Sequence, residues 1–481
     1  MPTISRETVS SNFVWRLLER FGAQVVSFIV SIVLARLLDP EVYGDVALVL
    51  VFSSILEVFV DSGLGNALIQ KKEVDDIDYS SVFYFNIVFC ILLYGIMFVC
   101  APFISDFYGN DLTLVIRVLS LVIVISGVKN VQQAYVSKNM MFRKFFYATL
   151  AGTIGSAFVG IFLAYRGYGV WALVAQNLFN KIIDTVVLWI TVGWRPIPAF
   201  STKRLSVLFS FGWKLLVAQL FDTVYENCRS LIIGKKYSAD SLAFYNKGKQ
   251  FPMLIITNVG TSVDSVLLPT MSKEQDDRRM VAAMLSRSVK LSSFVIFPLL
   301  TGLAGVGTTL ISIILNEKWL PCTPYMQVFC FAMMLTPISL SNLNAIKAIG
   351  NSGVYLKLEI VRKIIGIITL VAFMWYGPMF IAFSYLLNQK LGFYVNTLGA
   401  KKLLDYGPAK QLKDIIPSIT CAAIMLIGVN MTGRVNVDVR FILLLQILVG
   451  IIVYSIASYL INKDNYMYAY KLAKSFLQKR G

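Results

Sequence analysis

Residues 21–72, FGAQVVSFIVSIVLARLLDPEVYGDVALVLVFSSILEVFVDSGLGNALIQKK, decide the fold. They read as two long apolar helices joined by a tight acidic hinge, LLDPEVYG, in which Pro40 and Gly44 make the turn. Each helix exceeds the roughly 20 apolar residues that cross a bilayer. Charge intrudes all the same. Arg16, Glu19 and Arg20 stand at the start of the first helix, and Glu57 and Asp61 lie inside the second. Ionisable groups in a membrane helix face protein or water, because lipid offers them no partner.

The whole chain has this character. Hydrophobic residues make up 57 % of its 481 and charged residues 15 %, where a soluble protein carries about 25 % charge. With a mean hydropathy of +0.69, this is an integral membrane protein. Apolar segments fall at 13–38, 43–69, 81–104, 112–137, 145–166, 168–193, 205–233, 249–269, 288–315, 323–348, 354–376, 378–400, 412–432 and 440–462. That makes about fourteen transmembrane helices in an all-α membrane protein with no sizeable soluble domain. The polar N-terminus and long first run predict no cleavable signal peptide.

Basic loops at 71–72, 138–144, 195–204, 273–287 and 401–413, with the tail at 463–480, fall on one side of such a bundle. The positive-inside rule then predicts that both termini are cytoplasmic. Lys235, Lys236, Lys247 and Lys249 are the exception. The net charge of +17 is spread over these loops, so it reads as a topology signal and not as a nucleic-acid surface. The chain has no histidine, which excludes histidine triads, histidine metal sites and histidine proton relays. Its six cysteines lack CxxC spacing and read as apolar packing. No P-loop is present, and neither a catalytic residue nor a metal ligand set is expected. Trp171, Trp189, Trp194, Trp319 and Trp375, near segment ends, read as interface anchors.

An internal repeat organises the segments. NVQQAYVSKNMMF at the end of the fourth faces NLNAIKAIGNSGV at the end of the tenth, aligning Asn130 with Asn342, Gln132 with Asn344 and Asn139 with Asn351. YGVWALVAQNLFNK (168–181) likewise faces YGPMFIAFSYLLNQ (376–389). Six helices per repeat is an even number, so the two repeats run parallel through the membrane. The expected organisation is a six-helix lobe at 1–200, a second at 201–405, and two extra helices with a basic cytoplasmic tail at 406–481.

Polar stripes mark the candidate site. Arg16, Arg20, Gln24, Ser27 and Ser31 share one face of the first helix at steps of four and three. The seventh carries Ser206, Ser210, Lys214, Asp222, Tyr225, Glu226 and Arg229. Each charge at a helix centre costs about 2.5–3.5 kcal/mol, and each Leu, Ile, Val or Phe returns about 0.3–0.6. Roughly fourteen such residues against four charges barely break even, so this face looks at protein or water. Asp61 and Asp264 stand at matching depth in the second and eighth segments, and either pair with bases, cap a local helix break or carry coupling chemistry. The sixth and twelfth segments add Gln176, Asn177, Asn180 and Asn388, with Lys181 and Asp184 spaced to neutralise each other.

Three stretches carry a family resemblance: LARLLDPEVYG followed by DSGLGNALIQKK, IIGKKYSADSLAFYNKGKQ, and LLPTMSKEQDD. They resemble polysaccharide-exporter flippases of the multidrug/oligosaccharidyl-lipid/polysaccharide (MOP) superfamily, of the O-antigen and colanic-acid type. The resemblance covers about residues 10–400. It implies two six-helix lobes about a central cavity, alternating access, and an oligosaccharide on undecaprenyl pyrophosphate as substrate, in the bacterial inner membrane. It also implies polysaccharide polymerase and glycosyltransferase partners, but no motif-borne site. The candidate substrate residues therefore come from the stripes: Arg16, Arg20, Gln24, Lys214, Asp222, Glu226, Arg229, Gln176, Asn180 and Asn388. No cofactor is expected; a proton or sodium gradient or the membrane potential would drive transport, with Asp61, Asp222, Glu226 and Asp264 as coupling acids. Same-superfamily alternatives are a multidrug or cation exporter and a lipid II flippase. A glycan polymerase or ligase, which usually carries a large outer loop, is the remote alternative.

Overall fold

A computed structural model describes the backbone of residues 6–61, 63–433 and 438–478, with side chains over 22–60, 63–260, 267–433 and 438–471. Among the described residues every regular element is a helix. In order the helices are α1 (Arg6–Leu37), α2 (Pro40–Asp61), α3 (Leu64–Gln70), α4 (Asp76–Tyr108), α5 (Thr113–Leu119), α6 (Leu121–Lys138), α7 (Phe142–Tyr165), α8 (Val170–Thr191) and α9 (Thr202–Lys236). They continue as α10 (Ala239–Lys273), α11 (Arg278–Ile314), a 3₁₀ turn (Glu317–Cys322), α12 (Thr323–Met333), α13 (Thr336–Ala348), α14 (Ser352–Phe373), α15 (Pro378–Leu404), α16 (Pro408–Thr432), α17 (Val439–Ile461) and α18 (Lys463–Gln478).

The expected segments are all helical. Among the described residues, ten helical stretches are long and apolar enough to cross a membrane, and α1 supplies a shorter apolar stretch, Gly22–Leu37. Fourteen crossings thus remain an expectation: α14, for one, carries Lys357, Glu359, Arg362 and Lys363 in a single apolar segment. The outward faces are those of a lipid-bathed bundle. Val88, Ile91, Leu92 and Val99 on α4 and Leu444, Leu448, Ile451 and Ile452 on α17 are all exposed; water would not tolerate such patches.

By packing, the chain divides into two units, Met1–Ala243 and Phe244–Gly481. In the first, α1 packs on α7, α7 on α8, α6 between α4 and α8, and α9 along α2, α3 and α4. The lobe limits 1–200, 201–405 and 406–481 follow sequence symmetry and stand as a proposal. In the second unit α11 is the central helix, contacted by α12, α13, α16 and α17, while α14 pairs with α15. The tail expected at 463–480 is helix α18 over Lys463–Gln478.

Three segments that hydropathy reads as continuous are broken. The second breaks at Gly63, which has φ +65° and approaches Gly212 of α9 so closely that a Cβ on Gly63 would lie 2.2 Å from the Gly212 carbonyl oxygen. Only glycine meets both demands. The fourth breaks at Ser120 and the tenth at Met334–Leu335. These last two segments are the ones matched by their asparagines, and each breaks upstream of its asparagine, at positions that are near but not in register.

Two of the tryptophans correct the anchor reading. Trp194 is buried against Tyr79, Phe83 and Tyr135, and its indole N–H donates to Asp76 at 3.2 Å. Trp319 is fully buried in the 3₁₀ turn, with Phe244 edge-on to its ring. Both lie near segment ends, but the chain folds back over them. Trp375, by contrast, is 67 % exposed.

Candidate functional site

The first unit encloses a polar cavity of about 550 Å³. From the break at Gly63, α3 starts as a new helix and presents Gly65, Asn66 and Ile69, while α6 presents Lys129, Asn130, Gln133 and Ser137. Phe145 and Thr149 of α7, Asp184 of α8 and Gln219 of α9 close it. On α6 the polar positions Ser126, Lys129, Asn130, Gln133 and Ser137 recur at helical spacing and form a stripe like that expected on the seventh segment.

Two ion pairs cross this wall. Lys129 Nζ lies 2.6 Å from Asp184 Oδ2, and both side chains are about nine-tenths buried. Lys181 Nζ lies 2.7 Å from Glu57 Oε1, about one-third exposed on each side, and Ser126 Oγ donates to the same carboxylate at 3.5 Å. Lys181 and Asp184 therefore do not neutralise each other along α8. Each reaches a neighbouring helix, because both chains extend sideways into a wall of opposite charge.

Small residues bring α7 and α8 together beside this wall. Gly152, Ser156 and Gly160 recur at steps of four. A Cβ on Gly152 would lie 2.9 Å from the Asn180 carbonyl oxygen, and one on Gly160 would lie 2.9 Å from Gln176 Cβ. Such seams let membrane helices approach closely. Two candidate residues belong to this seam and not to the cavity lining: Gln176 is half-buried against Gly160, and the Asn180 amide donates to Ser156 at 3.4 Å.

The other candidates separate. Arg16, Arg20, Asp61 and Asp264 lie outside the described side chains. Gln24 is half-buried on α1. On α9, Lys214, Asp222 and Glu226 are exposed, whereas Arg229 is buried with its guanidinium 5.7 Å from the Tyr225 ring centre. Asn388 is buried in α15 of the second unit. Sequence reading missed Lys129, Asn66, Gln133 and Gln219. Lys129 was open to detection, because a lysine inside the fourth segment, 112–137, carries the insertion cost that exposed the α9 stripe.

The two asparagines matched by the repeat have different surroundings. In the first unit Asn130 faces the cavity, and Asn86 of α4 donates to the Asn130 side chain at 3.3 Å. In the second unit the matching Asn342 is fully buried. It exchanges two hydrogen bonds, at 2.9 and 2.7 Å, with Gln411 of α16.

Below the cavity, a second polar cluster ties α3, α4, α6 and α9. Lys71 pairs with Asp78 at 2.5 Å, and Arg204 pairs with Asp75. Lys138 donates to the carbonyls of Leu68, Ile69 and Lys71, which end α3. Asp75 and Asp78 form the capping box of α4. The Arg204 guanidinium holds the Asp75 carboxyl below the usual carboxylate range, and the carboxylate in turn raises the Arg204 value.

With this geometry in hand, the relatives can be compared. The sequence profile of a family described as polysaccharide biosynthesis protein matches residues 33–324, well over half of the chain and all of the cavity wall. The chain belongs to the polysaccharide biosynthesis protein family. It is 23 % identical over 365 residues to the succinoglycan biosynthesis transport protein ExoT of Rhizobium meliloti, covering 76 % of this chain and 74 % of that one. It is 21 % identical over 355 residues to the teichuronic acid biosynthesis protein TuaB of Bacillus subtilis, covering 73 % of each. In fold it is similar to the lipid II flippase MurJ in an inward closed conformation, with a TM-score of 0.76 at 17 % identity, covering 94 % of this chain and 99 % of that chain. A likeness at that identity concerns the fold alone. The fold of this family member is thus similar to that of the lipid II flippase structure.

Proposed function

We propose that this chain is a flippase that moves a lipid-linked oligosaccharide, carried on undecaprenyl pyrophosphate, from the cytoplasmic to the periplasmic leaflet of a bacterial inner membrane. Both termini are cytoplasmic in this reading, and access alternates between the two faces. The observation that carries it is the polar cavity of the first unit, walled by amides and by the Lys129–Asp184 pair inside apolar-faced helices. A lipid-linked glycan has an anionic head, hydroxyl-rich sugars and an apolar tail. Amides such as Asn66, Gln133 and Gln219 serve hydroxyls, which both donate and accept. A pyrophosphate oxygen competes with the Asp184 carboxylate for the Lys129 ammonium.

Nothing in this mechanism makes or breaks a covalent bond in the substrate. Glycosyltransferases would deliver it on one side and a polysaccharide polymerase would receive it on the other. Lys214, exposed on α9, adds a second cation for the head, and Asp222 and Glu226 on the same helix act as coupling acids to an ion gradient.

The test is complementation of a strain lacking its glycan flippase, scored by accumulated lipid-linked repeat units and by surface glycan. The expected result is that accumulation falls and surface glycan returns, and that Asp222→Asn with Glu226→Gln loses this rescue. Continued accumulation with the chain correctly inserted refutes the flippase reading. A change confined to drug susceptibility favours a cation exporter instead.

A further inference from the structure

On the membrane face that carries the basic loops, α10, α11 and α18 enclose a groove of about 410 Å³, remote in sequence from the polar cavity. Its walls include Leu267, Met284 and Leu291, with Ser288, Arg287 and Tyr468 at its polar side. The chain places this groove at the membrane–water boundary. Arg287 is the last residue before the apolar segment that starts at 288, and α18 begins at Lys463, two residues after α17 ends at Ile461.

Two cations stand one turn apart on α11, and their surroundings differ. Lys290 is neutralised by Asp414 at 3.3 Å, a carboxylate that also accepts from Ser286 and Tyr406, each at 2.7 Å. Arg287 has no carboxylate among the described ion pairs. Its guanidinium lies 3.4 Å from the ring centre of Tyr468. Stacking of this kind fixes the plane of the guanidinium and leaves its edge N–H groups directed outward, the arrangement that grips a phosphate with two donors.

We propose that this groove binds one anionic glycerophospholipid of that leaflet, its phosphate on Arg287 and one acyl chain along Leu267, Met284 and Leu291. The apolar walls select a lipid over a soluble phosphate, and the unneutralised guanidinium selects an anionic headgroup over a zwitterionic one. Lys463 and Lys471, exposed on α18, add to the local positive field. The lipid would also hold α18 in place, because Tyr468 belongs to both the helix and the site. This inference is independent of the transported substrate.

The experiment is native mass spectrometry of the full chain after mild delipidation, titrated with phosphatidylglycerol, phosphatidylcholine or inorganic phosphate. Wild type is expected to retain one phosphatidylglycerol in preference to phosphatidylcholine. Arg287→Ala should weaken phosphatidylglycerol about fivefold, the effect of one interfacial cation, and leave phosphatidylcholine unchanged. Arg287→Lys should fall between. Three results overturn the proposal: equal retention of the two lipids by wild type, unchanged phosphatidylglycerol binding in Arg287→Ala, or inorganic phosphate displacing the lipid. The wild-type comparison decides the matter even if Arg287→Ala does not fold.

Discussion

Replacing Lys129 with methionine isolates the chemistry of the cavity wall. The methionine keeps most of the stem volume and removes the charge, leaving the Asp184 carboxylate, 2.6 Å from the lost ammonium, without its counter-ion in a site about one-tenth exposed. At an effective dielectric constant of about 20, the Coulomb attraction at that distance is about 6 kcal/mol. Desolvation offsets part of it, and breaking one half of a buried pair typically costs about 3–5 kcal/mol. For a unit of 243 residues, the usual unfolding entropy turns that into a midpoint lower by about 6–10 °C. The assay is thermal unfolding of the purified chain, run alongside glycan export in the complemented strain. Adding Asp184→Asn to Lys129→Met removes the orphan charge and should recover most of the lost stability. It should not recover export, because the cation that meets the pyrophosphate is still missing. The reasoning is refuted if the single variant melts within 1 °C of wild type, or if the double variant is no more stable than the single. Restored export in the double variant would leave the pair a structural role only.

Two further outcomes test the frame around the cavity. Gly63→Ala should destabilise the first unit by about 1–3 kcal/mol, since it forces a left-handed backbone on alanine and drives a Cβ to 2.2 Å from the Gly212 carbonyl oxygen; an unchanged melting midpoint would contradict this. Asp75 has a lowered value in the folded chain because Arg204 lies beside it, so its contribution is present above the ordinary carboxylate value of about 3.9 and is lost as pH falls through the lower folded value. Arg204→Gln should therefore flatten the decline of the melting midpoint below about pH 4, and parallel curves for variant and wild type would remove that pair from the acid response.

The apolar runs and their parallel repeat were legible in the sequence because the bilayer imposes one demand, about twenty apolar residues per crossing, on every helix. A break near Gly63 was one of the readings open for Asp61, but those at Ser120 and Leu335 were not legible, since hydropathy does not change where the backbone turns there. The stripe on the seventh segment was visible from its insertion cost, but its burial was not: Arg229 packs inside while Lys214, Asp222 and Glu226 stay exposed on the same helix. The Lys181–Asp184 spacing suggested a local pair because sequence shows neighbours along one helix only. Their real partners, Glu57 and Lys129, stand 124 and 55 residues away. Trp194 and Trp319 sit near segment ends like anchors, and only the folded chain reveals that neighbouring turns cover them.

The seam between α7 and α8 bears on how the protein is made. These helices are consecutive, four residues apart, and they meet through Gly152, Ser156 and Gly160. Such a hairpin can close as soon as its second helix leaves the ribosome, and it then offers Asp184 to the already inserted Lys129 before α9 is synthesised. A bulky residue in the seam would thus be felt first during insertion. Its signature would be low abundance in the membrane and turnover by quality-control proteases, with the molecules that do assemble still able to transport.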